Sequence, residues 1–360
     1  MTALPANTSR CPHCGKTAAG GYKLPAHLLI SVLLLGLALF FWVTGRNRLA
    51  DAVNQARLTS DQKAGGVIAY IWSPEADKAC GGCLASAGKF VEEKKTAALR
   101  EKTKDMAYLS AGEYQIGSPE GAGDPDEHPR HKVYLDAFYI DKYEASTADY
   151  MKFAAAANAN YPEWAKPGGQ FNIDTGSKSY YRHLSSVFKN CGGCPIVGVT
   201  AKDARAYCAA KNKRLPTEAE WEAAARGGTD SIFSFGDDPA ATAEYAWYEA
   251  DSGGEPHLAG RKKPNGAGIY DMHGNVWEWT ADLYDKEYYR ESPRLNPAGP
   301  VSGSDNVIRG GSWAFDADSL RSANRAGSDK SNDDIGLRCA VSEAALSETA
   351  AAPGAVDIVR

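Results

Sequence analysis

One stretch near the N-terminus, HLLISVLLLGLALFFWVTG, carries no charge from Leu28 to Gly45. At about 1.5 Å per helical residue it reaches about 27 Å, enough for the apolar layer of a bilayer. Trp42 stands near one end, where an indole straddles the interface. The run starts late and no small-x-small cleavage site follows it. It therefore reads as a retained single-pass transmembrane helix rather than a cleaved leader.

Shorter periodicities follow. In TAKDARAYCAAKN, Ala204, Tyr207, Cys208 and Lys211 fall on one helical stripe. Thr200 is placed to cap that helix, with Asp203 in its first turn, and Cys208 points inward. TEAEWEAAARGG opens on a capping box, Thr217 to Glu220. Its buried face is Trp221, Ala224 and Ala225, and Gly227 stops it. KVYLDAFYI predicts a strand with Val133, Leu135 and Ala137 alternating towards a core. Elsewhere turn chemistry dominates, as in GSPEG, DSGGE, KPNGAG and HGN. Residues 84–105 alternate in charge and predict a solvated helix or stalk.

These patterns divide the chain into a polar tail (1–26), the anchor (27–45), a juxtamembrane stalk (46–106), one compact domain (107–342) and a loose tail (343–360). With 36 glycines and 8 tryptophans, the domain should be rich in loops pinned by large aromatics. The net charge is −5 and no basic block occurs, which argues against nucleic acid as a partner.

The eight cysteines fall in pairs. Cys11 and Cys14, in CPHCG, form half of a zinc ribbon that a second copy of the chain would complete; a free reduced pair is the plainer reading. CGGC occurs at 80–83 and again at 191–194. Such a motif serves as a redox dithiol, as half of a metal site or as the ends of structural disulfides. Structural disulfides are preferred here, with Cys80 and Cys83 bridged to Cys191 and Cys194. Six cysteines beyond the anchor favour an oxidising compartment. The N-terminus is therefore expected inside an inner-membrane anchor, with the C-terminal bulk in the periplasm or outside.

DEHPRH brings Glu127, His128 and His131 together, but Pro129 breaks any helix, so a structural role outweighs a metal role. His257 and His273 have no serine or cysteine partner in a nucleophile motif.

Four segments in order, GEYQIGSPEG…DEHPRHKVYLDAFYIDKYEAS, PIVGVTAKDARAYCAAKNKRLPTEAEWEAAARGG, GIYDMHGNVWEWTADLYD and VIRGGSW…NRAG…DIGLRCA, resemble the formylglycine-generating enzyme, or sulfatase-modifying factor, domain family over residues 107–342. The resemblance implies an irregular α+β fold of C-type-lectin-like kind with little regular secondary structure. It implies a disulfide between Cys208 and Cys339. It also implies calcium, with Asn275 and Glu278 as ligands, carbonyls of Gly274 or Val276 completing the shell, and Asp251 at a second site.

The family's founding activity oxidises a sulfatase cysteine with copper held by two thiolates. The first stands three residues after the serine of the RGGS turn. Here that position is Phe315, and no cysteine occurs from 314 to 325. Soft thiolates select copper(I), so copper-dependent formylglycine formation is disfavoured. The sulfoxide-synthase branch is disfavoured too, because its histidine-bearing helical bundle is missing. What remains is a loop whose Ser312, Trp313, Phe315, Asp316, Asp318, Arg321 and Arg325 are expected to line a binding groove. Alternatively, Arg321 and Arg325 are internal partners of the strand ending in DKSNDDIGLR. The reading is a membrane-anchored, non-catalytic accessory subunit that docks on a protein partner. Its rival is an oxidoreductase that uses the CGGC pairs.

Overall fold

In this computed structural model the described residues are 96 and 99–346, apart from 158 and 159. The anchor, the CPHCG pair, Cys80 with Cys83 and the tail from 347 lie outside them. Among the described residues no helix is long and apolar enough to cross a membrane.

Nine strands and five helices alternate in the described chain: β1 (Met106–Leu109), β2 (Gly112–Ile116), β3 (His131–Leu135), β4 (Phe138–Asp141), α1 (Thr147–Ala156), α2 (Ser185–Asn190), α3 (Ala201–Ala210), α4 (Glu218–Arg226), α5 (Thr242–Tyr245), β5 (Trp277–Leu283), β6 (Asn306–Arg309), β7 (Arg325–Ser328), β8 (Ile335–Gly336) and β9 (Ala340–Ser342). They form a three-stranded sheet in the order β1-β4-β9, a β2-β3 pair, and a four-stranded sheet in the order β7-β6-β5-β8. All pairings are antiparallel except β5 with β8. The mixed α and β content follows the expectation.

Local signals placed two of the five helices, α3 and α4. Thr200 and Asp203 close a capping box on α3, and Thr217 and Glu220 close one on α4. Gly227 ends α4 at φ +57°, a left-handed conformation that glycine adopts without a Cβ penalty. The strand expected over 132–140 is instead two strands in different sheets. Asp136 N–H donates to Asn296 Oδ1 at 2.9 Å, and the Ala137 carbonyl accepts from Glu343 at 3.0 Å. The ladder breaks there, and the inward phase slips by one residue, from Val133 and Leu135 to Phe138 and Ile140. Ala137 is only half-buried.

Two aromatic-rich clusters fill the interior. One joins Tyr150, Trp164, Tyr207, Trp277 and Trp279; the other joins Leu135, Phe138, Ile140, Trp221 and Met272. A disulfide between Cys208 and Cys339 ties α3 to the chain entering β9, both residues fully buried. The expected bridge between the two CGGC motifs is not what forms. Cys191 closes on Cys194 instead, at a Cα separation of 5.3 Å. The turn has a structural job: Gly192 and Cys194 carbonyls accept from Ala148 and Thr147 at 2.8 Å, satisfying the first amides of α1.

Candidate functional site

The loop after β6 is launched by two glycines. Gly310 and Gly311 have φ of +100° and +72°. A Cβ on Gly311 would lie 2.7 Å from Leu320 Cδ1 and 2.9 Å from the Ser319 carbonyl. Only glycine lets the chain turn and approach that closely.

Beyond the turn, Ser312 is fully buried and donates to Asp334 Oδ2 at 2.9 Å. Trp313 is fixed by its backbone: its N–H donates to the Asn275 carbonyl and its carbonyl accepts from Ser252 Oγ, both at 2.8 Å. Phe315 is 40% exposed and stands edge-on to Trp277, with ring centres 5.5 Å apart. Asp316 faces solvent and accepts from Ser319 N–H at 3.2 Å, steadying the short helical turn that follows. Across the surface, His183 lies 6.3 Å from the Trp313 ring, with Nε2 3.2 Å from Asp333 Oδ2. Tyr180 donates to Asp333 Oδ1 at 2.9 Å.

The structure therefore brings Ser312, Trp313 and Phe315 together beside Trp277, His183, Asp333 and Asp334, but of the first three, all expected to line the groove, only Phe315 is exposed, while Ser312 and Trp313 are buried. Sequence reasoning did not single out Trp277, His183, Asp333 or Asp334. The adjacent aspartates of SNDDIG were the available signal. Burial pushes the Asp334 carboxyl up to about 6, with the Ser312 hydrogen bond opposing and the charge of Asp333 adding to the shift.

The two arginines expected in the groove turn inward. Arg321 donates to both oxygens of Glu127, at 2.7 and 2.6 Å, and also holds Asp318 and Asp124. Arg325 grips Glu218 on α4. They are internal ion-pair partners, but not of the DKSNDDIGLR strand as the alternative had it. Asp318 pairs with Arg321 while its side chain stays exposed. Under the same loop, Arg309 and Arg226 share Glu222. Burial pushes Glu222 up, but the two guanidinium groups more than offset it and hold the carboxyl below its usual range.

The residues expected to bind calcium are otherwise engaged. Both oxygens of Glu278 accept from Arg338, and Oε2 also accepts from Trp221 Nε1 at 2.8 Å. Asp251 accepts from Lys262 at 2.5 Å, whose ammonium lies 3.7 Å from the centre of the Trp247 ring. The Asn275 amide donates to Glu144 Oε2 at 2.6 Å, and its carbonyl oxygen accepts from His257 N–H. Sequence reasoning missed a neighbouring acidic pair, Glu144 and Asp271, each at least nine-tenths buried. Asp271 Oδ1 has no partner. Burial and mutual repulsion push Glu144 well above the ordinary carboxylate range, and burial pushes Asp271 up to about 6.

Three histidines that the sequence singles out are held by the fold. Burial lowers His273 to about 4. Its Nδ1 faces the Leu320 carbonyl, and its Nε2 accepts from the Ser234 N–H. His128 and His131 contact the backbone carbonyls of Ala122 and Pro129.

With this geometry in place, the chain can be compared with known proteins. Residues 91–343 match the family model of the sulfatase-modifying factor enzyme 1-like domain. The chain is 29% identical to a formylglycine-generating enzyme of Streptomyces coelicolor over 300 residues, covering 68% of this chain and 91% of that one. It is 28% identical to the inactive C-alpha-formylglycine-generating enzyme 2 of Bos taurus, covering 66% and 88%. Among solved structures, Treponema denticola variable protein 1 superposes with a TM-score of 0.54 at 27% identity, covering 66% of this chain and 94% of that one.

Proposed function

The chain belongs to the sulfatase-modifying factor enzyme 1-like domain family, and we propose that it is a member that binds rather than oxidises. In this reading it presents the face around Phe315 and Asp316 to a protein partner. One observation carries the reading: the position of the family's first copper thiolate is taken by a half-exposed phenylalanine, Phe315, in a loop without cysteine. The four described cysteines are all consumed in disulfides. A relative that carries the name inactive supports the idea that this fold is kept without its chemistry. An exposed aromatic beside a rigid turn is also the kind of anchor that protein interfaces use.

The oxidoreductase alternative needs an accessible dithiol. Cys191 is half-buried, Cys194 is 3% exposed, and the 191–194 turn is tied into the start of α1. We further propose that residues 27–45 anchor the chain in a membrane, with the domain on the oxidising side as an accessory subunit of a membrane complex. The uncharged run and the six cysteines beyond it support this. Calcium is left out of this reading: Asn275, Glu278 and Asp251 are engaged with Glu144, Arg338 and Lys262, and at Glu144 and Asp271 only Asp271 Oδ1 is free.

The test is a pull-down of the full tagged chain from native membranes in mild detergent, paired with a Phe315→Glu variant. A stoichiometric partner lost in the variant is expected. Conversion of a peptide cysteine to formylglycine by the copper-loaded purified chain would overturn the reading.

A further inference from the structure

The two disulfides of the described residues differ in what opposes their cleavage. Cys208 and Cys339 are both fully buried and 131 positions apart. Their bond strongly restricts the unfolded chain, so losing it is costly. Cys191 and Cys194 stand three positions apart. A loop that short restricts the unfolded chain far less. Cys191 is also half-buried rather than sealed, and Gly192 and Gly193 beside it are exposed. Thiol–disulfide exchange needs access to only one sulfur of a pair, and exposed bonds are the labile ones. Cys191, not the buried Cys194, is the residue that offers access.

The bond holds a junction in place. The Cys191 N–H ends α2 by donating to the Val187 carbonyl at 2.8 Å, and the Gly192 and Cys194 carbonyls receive the first amides of α1. Thr147 Oγ1 donates to the next carbonyl, that of Pro195, at 3.2 Å. On its other side the turn meets the chain before β5, where a Cβ on Gly193 would overlap Leu258 Cδ1. Two consecutive glycines leave a backbone many conformations. The disulfide therefore supplies a constraint that the residues it spans do not. Cys194 Sγ lies 3.8 Å from the Pro256 carbonyl. In the disulfide it has no hydrogen to donate; as a thiol it would have an acceptor already in reach. The interior thus has a place for the reduced sulfur.

We propose that Cys191–Cys194 is a redox latch, opened by a dithiol that exchanges at Cys191, and that opening it loosens the start of α1 while Cys208–Cys339 stays closed. A thiolate of the dithiol attacks Cys191 Sγ and forms a mixed disulfide, and Cys194 leaves as a thiolate and takes up a proton. The second thiolate of the dithiol then attacks the mixed disulfide, and Cys191 leaves and is protonated in turn. Two electrons pass to the protein, the dithiol's two protons end on Cys191 and Cys194, and the dithiol becomes a disulfide. The freed Cys194 lies inside the fold, so the pair is acted on and oxidises no substrate. The latch is independent of the reading of the Phe315 face.

The test treats the full chain in detergent with dithiothreitol for increasing times, traps the thiols with N-ethylmaleimide in denaturant and maps them by peptide mass. Cys191–Cys194 should open roughly tenfold or more faster than Cys208–Cys339. In the chain reduced at 191–194 alone, the Thr147 and Ala148 amides should exchange hydrogen roughly tenfold or more faster, with α3, α4 and β5 unchanged. Cys191→Ser with Cys194→Ser should show that fast exchange without any dithiol. A chain carrying Cys80→Ser and Cys83→Ser tells the source of the dithiol. The same rate of opening means that an external dithiol acts on Cys191 directly; a slower rate means that the second CGGC of the chain passes electrons on. Either supports the latch. Cleavage of Cys208–Cys339 first, or at the same rate, overturns the proposal. So does a chain reduced at 191–194 alone whose Thr147 and Ala148 amides exchange as before, or whose whole domain unfolds. These outcomes are read on the wild-type chain, so they decide the matter even if the serine variant fails to fold.

Discussion

Arg325 holds Glu218 by two parallel hydrogen bonds, Nε to Oε1 at 2.7 Å and Nη2 to Oε2 at 2.8 Å, with both side chains shut away from water. Its remaining nitrogen donates to the Asp126 and Asp285 carbonyls at 3.1 Å, and its guanidinium carbon lies 4.3 Å from the centre of the Tyr289 ring. One side chain from β7 thus fastens α4, the 3-10 turn at Pro125–Glu127 and the chain before Tyr288. A fork of this kind suits arginine and not lysine.

Arg325→Met should therefore cost about 3–5 kcal/mol in urea unfolding, because Glu218 would remain buried without its cation. The double variant with Glu218→Gln should recover part of that loss. A loss below about 1 kcal/mol for the single variant would mean that the pair is not buried in solution.

The Cys208–Cys339 bridge closes a loop with a sequence separation of 131. Replacing both cysteines by alanine should lower stability by up to ~5 kcal/mol, less any strain that the bond carries. In the wild-type domain neither thiol should react with maleimide after denaturation without reductant. Labelling of both would show that the bond is absent.

Asp282 gives a test by pH. Burial, with Glu218 and Glu220 adding repulsion, pushes its carboxyl well above the ordinary range. The folded state therefore binds this proton more tightly than the unfolded chain does. Asp282's contribution to stability grows as pH falls from the raised folded value towards the unfolded one, and is complete below it. Asp282→Asn mimics the protonated form, so it should melt higher than wild type at about pH 8, with the gap closing towards about pH 4. A constant gap across that range would show that Asp282 does not titrate as described.

What could be read in advance was local. Thr200 with Asp203 and Thr217 with Glu220 lie three residues apart, so their capping boxes are visible in the sequence. The break between β3 and β4 was hidden, because its cause is Asn296, 160 positions downstream. The arginines failed for the same reason. Arg321 finds Glu127 across 194 positions and Arg325 finds Glu218 across 107, and no periodicity reports such partners. A charged loop looks the same on paper whether its guanidinium groups face water or the core. The missing copper pair was legible because it depends only on counting from Ser312. Asp334 was not, because its bond to Ser312 spans 22 positions and depends on how two loops meet in three dimensions.

The segment from 314 to 319 is fastened to the body mainly at its ends. The glycine turn and the buried Ser312 hold one side, and the buried Leu320 and Arg321 hold the other. Between them Phe315 and Asp316 lean outward, held by the Glu249 N–H, which donates to the Phe315 carbonyl at 2.9 Å, by the loop's own backbone and by the edge of Trp277. A stretch mounted this way behaves as an exchangeable insert. Its outward side chains can be rewritten without asking α4, β6 or β7 to move, so variation can collect at this one address while the rest of the fold is inherited unaltered.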